Sequence, residues 1–431
     1  MRQQSERVMM ARRRSGWILA AAALVTTAAG CGSLLEVDSP SQIPAEEAIR
    51  PENAALLMNS AIGDFECAFA GTVALAGLLG DETANASFGN TLWQIDRRDM
   101  SPGAPIGTAG CTNLVSAGGF ASLSVARYQA EELARNLALW TDAQVPNRAK
   151  LQARSAAYAG YSYVFLAETM CSGAVDAGPE LTKAQMFSLA EVRFTTAISG
   201  ASGAGGDADV LNMSLVGRAR ARLNLGNRAG AAADARQVPT GFRKDATYSA
   251  IDTRRENPLF SFINRGGFFT IGPLFRGVNF NGVPDPRVPV ADAGINGGDN
   301  LTPLWIQNKY TSVSAPIAIA KWEEAQLIIA ETELAAGNLQ NAVAIINLLH
   351  SRTTPALPPF ASSGAAAIQA QLLYERRAEL FLEGQHLNDN VRFNTPLVPA
   401  PGTPFPIGGG FFGTQRCFFL PDLERNTNGN I

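Results

Sequence analysis

One charged segment near the C-terminal end has the residue types and spacing that acid–base chemistry requires. Glu379 and Glu383 are four residues apart, so a helix would place both carboxylates on one face, and paired carboxylates often serve as general acid and base. Arg376 precedes Glu379 by three residues and can pair with it on that face. Helices this dense in charge more often form a solvated face or an ion-pair network. We therefore expect a structural segment without a catalytic residue.

Patterns typical of other catalytic or metal sites are absent from the sequence. It contains no G-x-S-x-G or H-E-x-x-H motif, and the glycine-rich stretch 201–206 lacks the phosphate-binding G-x-x-x-x-G-K-[ST] arrangement. Only two histidines occur, His350 and His386, and the five cysteines form no C-x-x-C pair. The sequence therefore predicts neither a metal site nor a cofactor. The enzymatic alternative that stays open is a hydrolase that uses unmarked carboxylates.

The first 30 residues predict export. Three arginines, Arg12 to Arg14, precede a short apolar run that ends at Ala29, as in a secretory signal. Cys31 directly follows Ala28-Ala29-Gly30, which resembles a bacterial lipobox with Ala in place of the usual Leu. We predict that residues 1–30 are a lipoprotein signal peptide and that Cys31 is the lipidated first residue of a mature chain, 31–431. An ordinary cleaved signal with an incidental cysteine is the alternative.

Composition and charge narrow the class of protein. Hydrophobic residues make up 46% of the chain and charged residues 17%, which favours a large core over disorder. No second apolar stretch approaches 18 residues, so none is expected to span a membrane. The formal net charge is −3, and the leader carries five Arg and one Glu, so the remainder is near −7. Because nucleic-acid binding needs a basic surface, we exclude a nucleic-acid partner.

The four cysteines beyond the leader are disulfide candidates. Cys67, Cys111, Cys171 and Cys417 allow three pairings, and an oxidising compartment favours disulfides. A short-range bridge between Cys67 and Cys111 is plausible, and the second bridge would then join Cys171 to Cys417 and tie the chain end to a helix. Four buried free thiols are the alternative.

Apolar residues recur at helical spacing along most of the chain, which predicts a mainly α fold. One stripe runs through Val216, Ala219 and Leu223 to Gly226-Asn227, where a partner helix begins, and a second pair turns at Gly337-Asn338. Glycine suits the left-handed position that ends a helix. These turns are similar to those of tetratricopeptide repeats, although any pair of helices joined by a tight turn can show them. We predict a scaffold of tetratricopeptide-like helix pairs.

Two long inserts of different composition interrupt this scaffold, at about 70–120 and 257–316. The first is rich in Gly, Ser, Thr and Asn around Trp93, and the second carries many aromatic residues among glycines and prolines. Loops of this length in a compact chain are usually functional or disordered, and aromatic content argues against disorder. We expect the second insert, at least, to be functional.

Several short landmarks follow one another towards the C-terminal end. Residues 374–384, Y-E-R-R-A-E-L-F-L-E-G, precede a D-x-x-R at Asp389 and Arg392. The other landmarks are Asp285-Pro286-Arg287, a helix pair within 321–352, Leu420-Pro421 with Glu424 and Asn428, and Leu34 to Val37 behind Cys31. In this order they resemble the RagB/SusD family of outer-membrane nutrient-binding lipoproteins. The sequence departs from the family pattern at Leu387-Asn388, which replaces an aromatic pair, and at Asn390, which replaces a Leu.

The resemblance implies capture of a ligand. Family members hold extracellular glycans, or in some cases peptides, and pass them to a TonB-dependent SusC-like transporter; this implies a lipid anchor in the outer membrane, facing the exterior. Aromatic rings stack on sugar rings, while polar side chains bond the hydroxyls. Each aromatic candidate could instead belong to a small hydrophobic cluster under a loop. The candidate ligand-binding residues are Trp93, Asn90, Asp96, Arg97, Phe269, Trp305 and Tyr310.

Two hypotheses from other classes stay open beside nutrient binding. A lipoprotein built on tetratricopeptide-like helix pairs can act as a scaffold that binds another protein. A lipid-anchored helical hydrolase is the third hypothesis, and turnover of a bound glycan would favour it.

Overall fold

The computed structural model describes residues 45–101, 119–203 and 205–431. Contacts divide the chain into two units, residues 1–50 and 51–431. Of the first unit, the structure describes the short helix α1, Ala45–Ala48, and the two residues that follow it. The predicted signal peptide, the predicted lipidation site Cys31 and the disulfide candidate Cys111 lie outside the described residues.

Helices form most of the second unit, which confirms the predicted mainly α fold. Neighbouring helices in the sequence pack against each other from α4 to α8 and again from α9 to α11. The bounds are α2 Ala54–Leu79, α3 Asn90–Asp96, α4 Phe120–Leu139, α5 Arg148–Thr169, α6 Lys183–Ala201, α7 Ala208–Asn224, α8 Arg228–Ala235, α9 Trp322–Ala335, α10 Leu339–Ser351, α11 Ala365–Glu379, α12 His386–Arg392 and α13 Asp422–Thr427.

Helix α2 is the apolar centre of the scaffold. Within the described residues, Pro51–Leu79 is the one helical stretch that is long and apolar enough, by length and composition, to cross a membrane. The expectation that no apolar stretch after the leader approaches 18 residues was therefore wrong. Its most apolar window is 78% buried inside the protein, as in a core helix. Phe69 of α2 lies 4.9 Å from Phe165 of α5, ring centre to ring centre, and Phe65 lies 5.2 Å from Tyr158. Tilted and edge-on aromatic pairs of this kind stabilise a core beyond simple burial.

The turns between paired helices follow from local sequence. Gly226 and Gly337 have φ angles of +78° and +79°, a region that a residue with a Cβ adopts only with strain. The next residue in each turn, Asn227 or Asn338, donates its backbone N–H to the carbonyl five residues earlier. This pattern closes the last helical turn and satisfies its free carbonyl groups. Both predicted helix pairs, α7–α8 and α9–α10, are therefore present.

Short antiparallel strand pairs lie between α8 and α9 and beside α2. The pairs are β1 with β3, β2 with β8, β4 with β5, and β6 with β7. Their bounds are β1 Thr83–Asn85, β2 Arg243–Ala246, β3 Phe269–Ile271, β4 Asn279–Phe280, β5 Val283–Pro284, β6 Val290–Asn296, β7 Pro303–Gln307 and β8 Ile317–Lys321.

The structure differs from both predicted inserts: the first begins later than expected, and the second contains regular strands. The first was expected from about residue 70, but residues 70–79 are the last turns of α2, because they are apolar and packed in the core. Its described part, up to residue 101, contains β1 and α3. The second insert, 257–316, is not simply irregular: it contains β3 to β7. Cross-strand hydrogen bonds give these segments partners that a free loop would lack.

A disulfide joins Cys171 to Cys417, with an S–S distance of 2.09 Å and 246 residues of sequence separation. The backbone supports it on both sides, since Cys171 donates to the Phe418 carbonyl at 2.8 Å and Phe418 donates to that of Thr169 at 2.8 Å. The C-terminal segment is thereby held at the end of α5. Cys67 is also disulfide-bonded, and its pairing with Cys111 stays a prediction.

Candidate ligand-binding site

The charged segment of α11 forms a buried ion-pair network. Glu383 accepts hydrogen bonds from Lys309 at 2.8 Å and from Lys321 at 2.9 Å, and Glu379 lies 3.1 Å from the same Lys321. Arg376 pairs at 2.7 Å with Asp389 rather than with Glu379. The network joins the end of α11 to β8 and α12. Of the two structures expected for this segment, a solvated face and an ion-pair network, the protein forms the ion-pair network. The network lies in the protein interior.

The electrostatics of Glu379 and Glu383 oppose an acid–base role. Burial raises the pKa of each carboxyl, but Lys321 and the other cations beside them outweigh it, so both pKa values lie below the ordinary value. A general acid near neutral pH needs a raised pKa. Both groups are therefore anionic, with their charges already compensated by cations from other elements.

Trp93 is held rigidly in a loop-rich region beside β1. It lies on α3, and its indole Nε1 donates a 2.7 Å hydrogen bond to the carbonyl oxygen of Ser87. The half-buried ring packs against a small hydrophobic cluster formed by Phe405, Ile407 and Phe412. The hydrogen bond and the packing together fix the orientation of the indole ring.

The two charged candidates next to Trp93 stand in different surroundings. Asp96 is buried and accepts a 2.8 Å hydrogen bond from the backbone N–H of Asn85, and burial raises its pKa to about 7. It supports the β1–α3 connection and does not face solvent. Arg97 is partly exposed and donates to the Gly409 carbonyl at 3.0 Å. Asn90 is the first residue of α3, and its side chain lies outside the described part of the chain.

Two aromatic candidates in the second insert are core residues, and their prediction as ligand contacts was wrong. Phe269 is 0% exposed and packs against Phe262 at 4.9 Å. Tyr310 is 2% exposed, and its hydroxyl donates to the Leu382 carbonyl at 3.1 Å. Both rings are covered by the strands and the α11–α12 connection, so neither can touch an external ligand without unfolding part of the core.

Trp305 is partly buried on β7. Its backbone N–H donates to the hydroxyl of Thr270 on β3 at 2.8 Å, which links the two strands. The Arg276 guanidinium lies over the indole, 5.3 Å from the ring centre. A cation over one face of the ring is itself a stabilising contact. The structure thus places Trp305 near the strands that flank Trp93, with one face of its ring already contacted.

Three exposed aromatic residues, absent from the sequence-based candidates, lie on the loops around Trp93. Phe88 is 62% exposed, Phe268 45% and Phe411 63%. Ala86, next to the Phe88 turn, donates to the Phe268 carbonyl at 2.8 Å, and Trp93 contacts the loop that carries Phe411. We call Phe88, Trp93, Phe268 and Phe411 the aromatic surface. Each of the three phenylalanines adjoins a glycine in the sequence, the signal that could have identified them.

A groove of about 770 Å³ lies elsewhere, between α4, α5 and α6. Small side chains line most of it, with charged residues at its edge. Its lining includes Ala134, Ala138, Ala149, Ala153, Ala156, Ala159, Ser199 and Gly200, with Glu131, Arg135 and Arg193 among the charged groups. Within the described residues, no group of three or more His, Cys, Asp or Glu side chains is arranged to hold a metal ion.

Comparison with known proteins finds one family model and several solved structures that resemble this chain. Residues 324–422 match the model of the SusD family. A solved SusD-like carbohydrate-binding protein from Bacteroides vulgatus has a TM-score of 0.66 and 15% identity, covering 89% of this chain and 97% of its own. A SusD superfamily protein from Bacteroides fragilis has a TM-score of 0.65 and 13% identity, covering 89% and 99%. A laminarin-binding SusD-like protein has a TM-score of 0.59 and 14% identity, covering 80% and 91%.

At these identities the solved structures establish a shared fold. None of the curated proteins matches the sequence significantly. The match of the family model covers the segment that carries the E-R-R-x-E-L-x-x-E-G landmark, and the shared fold extends over most of the chain. Together, the comparisons show a SusD-family match over residues 324–422 and a SusD-like fold over most of the chain.

Proposed function

We propose that this protein is an outer-membrane lipoprotein that captures an extracellular nutrient, most simply a glycan or oligosaccharide, and delivers it to a TonB-dependent SusC-like transporter. The observation that carries the proposal is the aromatic surface, four aromatic residues on neighbouring loops of a SusD-like fold. Two structural neighbours named for carbohydrate or laminarin binding support a glycan as the ligand.

The aromatic surface suits sugars physically. The apolar face of a sugar ring can lie on an aromatic ring, and carbonyl and guanidinium groups at the edge can bond the hydroxyls. Arg97 stands beside Trp93 and already bonds the Gly409 carbonyl. Because the loops rest on a rigid helical scaffold, a ligand would not have to order them on binding, which favours affinity.

We propose binding without turnover. The one carboxylate pair that the sequence singled out, Glu379 and Glu383, is buried and compensated by Lys309 and Lys321. Incubation with a panel of glycans is expected to give retention without cleavage. The appearance of shorter products would favour the hydrolase hypothesis instead.

The ligand site is tested by substitution within the aromatic surface. Trp93→Ala removes the fixed indole and is expected to weaken glycan affinity about tenfold, since an aromatic contact contributes roughly 1 kcal/mol. Phe411→Ala should weaken binding without affecting stability, because its ring is exposed. Tyr128→Ala is the matched control: an exposed aromatic residue on α4, outside the aromatic surface. Unchanged affinity in both site variants, measured by calorimetry, would contradict this location.

The anchor and orientation are tested on intact cells. Cys31→Ser should move the protein from the membrane fraction to the soluble fraction, since durable attachment requires the acyl chains. External protease should degrade the wild-type protein on whole cells. Full protection would rule out capture at the cell surface, and an unchanged membrane fraction for Cys31→Ser would rule out this anchor.

The groove between α4, α5 and α6 favours a second candidate, a scaffold that binds another protein. Its small side chains would let a peptide or a helix approach the backbone closely, as small residues do wherever elements pack at short range. Gly200→Leu would fill the groove. Loss of a protein partner with intact glycan binding would support this second function, whereas loss of glycan binding alone would not.

A further inference from the structure

A separate cavity of about 300 Å³ lies between α11, the start of α12 and residues 395–398. This volume is at the lower end of the range for small-molecule sites. Leu274, Leu373 and Val398 contribute apolar walls, and Arg377, His386 and Asp389 contribute the charged or titratable groups. None of these residues belongs to the aromatic surface.

Arg377 has no anionic partner among the described residues, in contrast to its neighbour in the sequence. Arg376 donates to Asp389 at 2.7 Å. The Arg377 guanidinium lies over the ring of Tyr374, 5.8 Å from its centre. Within the described residues it makes no hydrogen bond or ion pair to an acceptor. Burial lowers the pKa of the Arg377 guanidinium. The guanidinium is half-buried and the described residues leave its donors unused, so it can bind an anion without first breaking an ion pair.

The carboxylates near this cavity are already compensated. Asp389 accepts from Arg376 at 2.7 Å and from Arg392 at 3.2 Å. Asp285, which accepts from the Tyr374 hydroxyl at 2.9 Å, is paired with Arg287 at 2.7 Å. Neither carboxylate bonds Arg377, so the cavity keeps one uncompensated cation.

His386 adds a second unused polar atom. The side chain is about nine-tenths buried, and its Nε2 has no hydrogen-bond partner within the described part of the chain. Burial is the main reason that the pKa of the His386 imidazole falls to about 4. Repulsion by Arg377 also lowers this pKa, and attraction by Asp389 opposes the shift. The imidazole is therefore neutral near neutral pH and can offer one N–H to an anion.

We propose that this cavity binds an organic carboxylate of about monosaccharide size, a uronic acid being the representative ligand. Arg377 would hold the carboxylate through two parallel N–H donors, the geometry that guanidinium and carboxylate groups share. His386 lines the same cavity, and the apolar walls accept the face of the ring. This site goes beyond the proposed function, since capture at the aromatic surface requires no charge on the ligand.

The test is titration calorimetry with glucuronate, glucose and inorganic phosphate on the chain without a polyhistidine tag. Glucuronate should bind with one-to-one stoichiometry and glucose should not. Arg377→Gln should weaken glucuronate binding about tenfold or more, and Arg377→Lys less, because a charged hydrogen bond contributes roughly 1.5–3 kcal/mol. Absence of saturable glucuronate binding, equal binding of phosphate, or full affinity in Arg377→Gln would each overturn the proposal.

Two controls separate binding from folding and from the proposed function. Arg377→Gln should leave the unfolding midpoint unchanged, whereas Arg376→Gln, the same change one residue earlier, should lower it. The chain has two histidines, so NMR can follow the His386 ring signals, which should shift with glucuronate while those of His350 do not. Trp93→Ala should keep glucuronate affinity. If neutral glycans fail to bind but glucuronate binds as described, the proposed function fails and the cavity stands.

Discussion

Gly408 lies directly against the indole ring of Trp93. A Cβ atom at residue 408 would stand 2.4 Å from Cζ3 of the indole, and Gly408 has a φ angle of +68°. Together with the hydrogen bond from Nε1 to Ser87, this contact sets the position of the ring. The orientation of the central aromatic residue therefore depends on a glycine 315 positions away in the sequence.

Gly408→Ala is expected to displace Trp93 and weaken glycan binding. The added methyl group cannot occupy a position 2.4 Å from a ring carbon, so the indole or the loop must move. We expect a loss of about tenfold in affinity, similar to Trp93→Ala, measured by calorimetry.

Gly409→Ala is the matched control for this experiment. Gly409 has a φ angle of +76°, and a Cβ atom at residue 409 would meet nothing within 4 Å, so the substitution brings a similar backbone strain, about 1 kcal/mol, without the clash. Its affinity should stay close to that of the wild type. Equal losses in both variants would show that loop strain, and not the position of Trp93, decides binding.

Glu383→Gln is expected to destabilise the protein by about 3 kcal/mol or more. The substitution leaves Lys309 without its carboxylate and Lys321 with Glu379 as its remaining carboxylate partner, all in the interior. Urea unfolding measures the change. The control is Glu132→Gln on the exposed face of α4, where the carboxylate pairs with Arg135 and the loss should be below about 1 kcal/mol. Similar losses in the two variants would contradict the structural role assigned to the network.

Asp96→Asn is expected to stabilise the protein at pH 8 more than at pH 5. The folded-state pKa of Asp96 is about 7, against 3.8 for the free side chain, so between these values the folded state holds a proton that the unfolded chain releases. This contribution to stability is complete below about pH 4 and is lost as the pH rises through 7. The amide has no charge to bury, so the stabilisation of the variant relative to the wild type should be larger at pH 8 than at pH 5 by about 2–3 kcal/mol.

Urea unfolding of the wild type and of Asp96→Asn at both pH values measures this difference. Its sign is the critical result. If the variant changes the free energy of unfolding equally at pH 5 and pH 8, the carboxyl group does not titrate in this range in the folded state.

Removal of the disulfide between Cys171 and Cys417 is expected to destabilise the protein by about 3–5 kcal/mol. The bridge closes a loop with a sequence separation of 246 residues, and a long closed loop restricts the unfolded chain strongly. The double variant Cys171→Ala with Cys417→Ala avoids a lone thiol. Its unfolding midpoint is compared with that of the wild type under oxidising conditions. An unchanged midpoint would mean that the hydrogen bonds of Phe418 alone hold the C-terminal segment.

Local sequence was sufficient for the helical scaffold. The stripe of Val216, Ala219 and Leu223 is buried on α7, because a 3.6-residue period puts these side chains on one face wherever the helix packs. Gly226 and Gly337 end their helices in the left-handed conformation that glycine adopts without strain. The landmark of residues 374–384 likewise indicated a SusD-like segment, which the family model matches over residues 324–422, since short motifs in a fixed order do not require knowledge of contacts.

The tertiary structure alone decided which side chains reach solvent. Phe268 and Phe269 are neighbours with the same chemistry, yet Phe268 is exposed and Phe269 is buried, because successive side chains at a strand point to opposite faces and only one face is covered. Arg376 and Arg377 differ in the same way, since partners from α12 reach only the first. Helical period and motif order are local properties of the chain, whereas exposure and pairing depend on elements that are distant in sequence. Contacts with those distant elements placed the aromatic surface and left Arg377 without an anionic partner among the described residues.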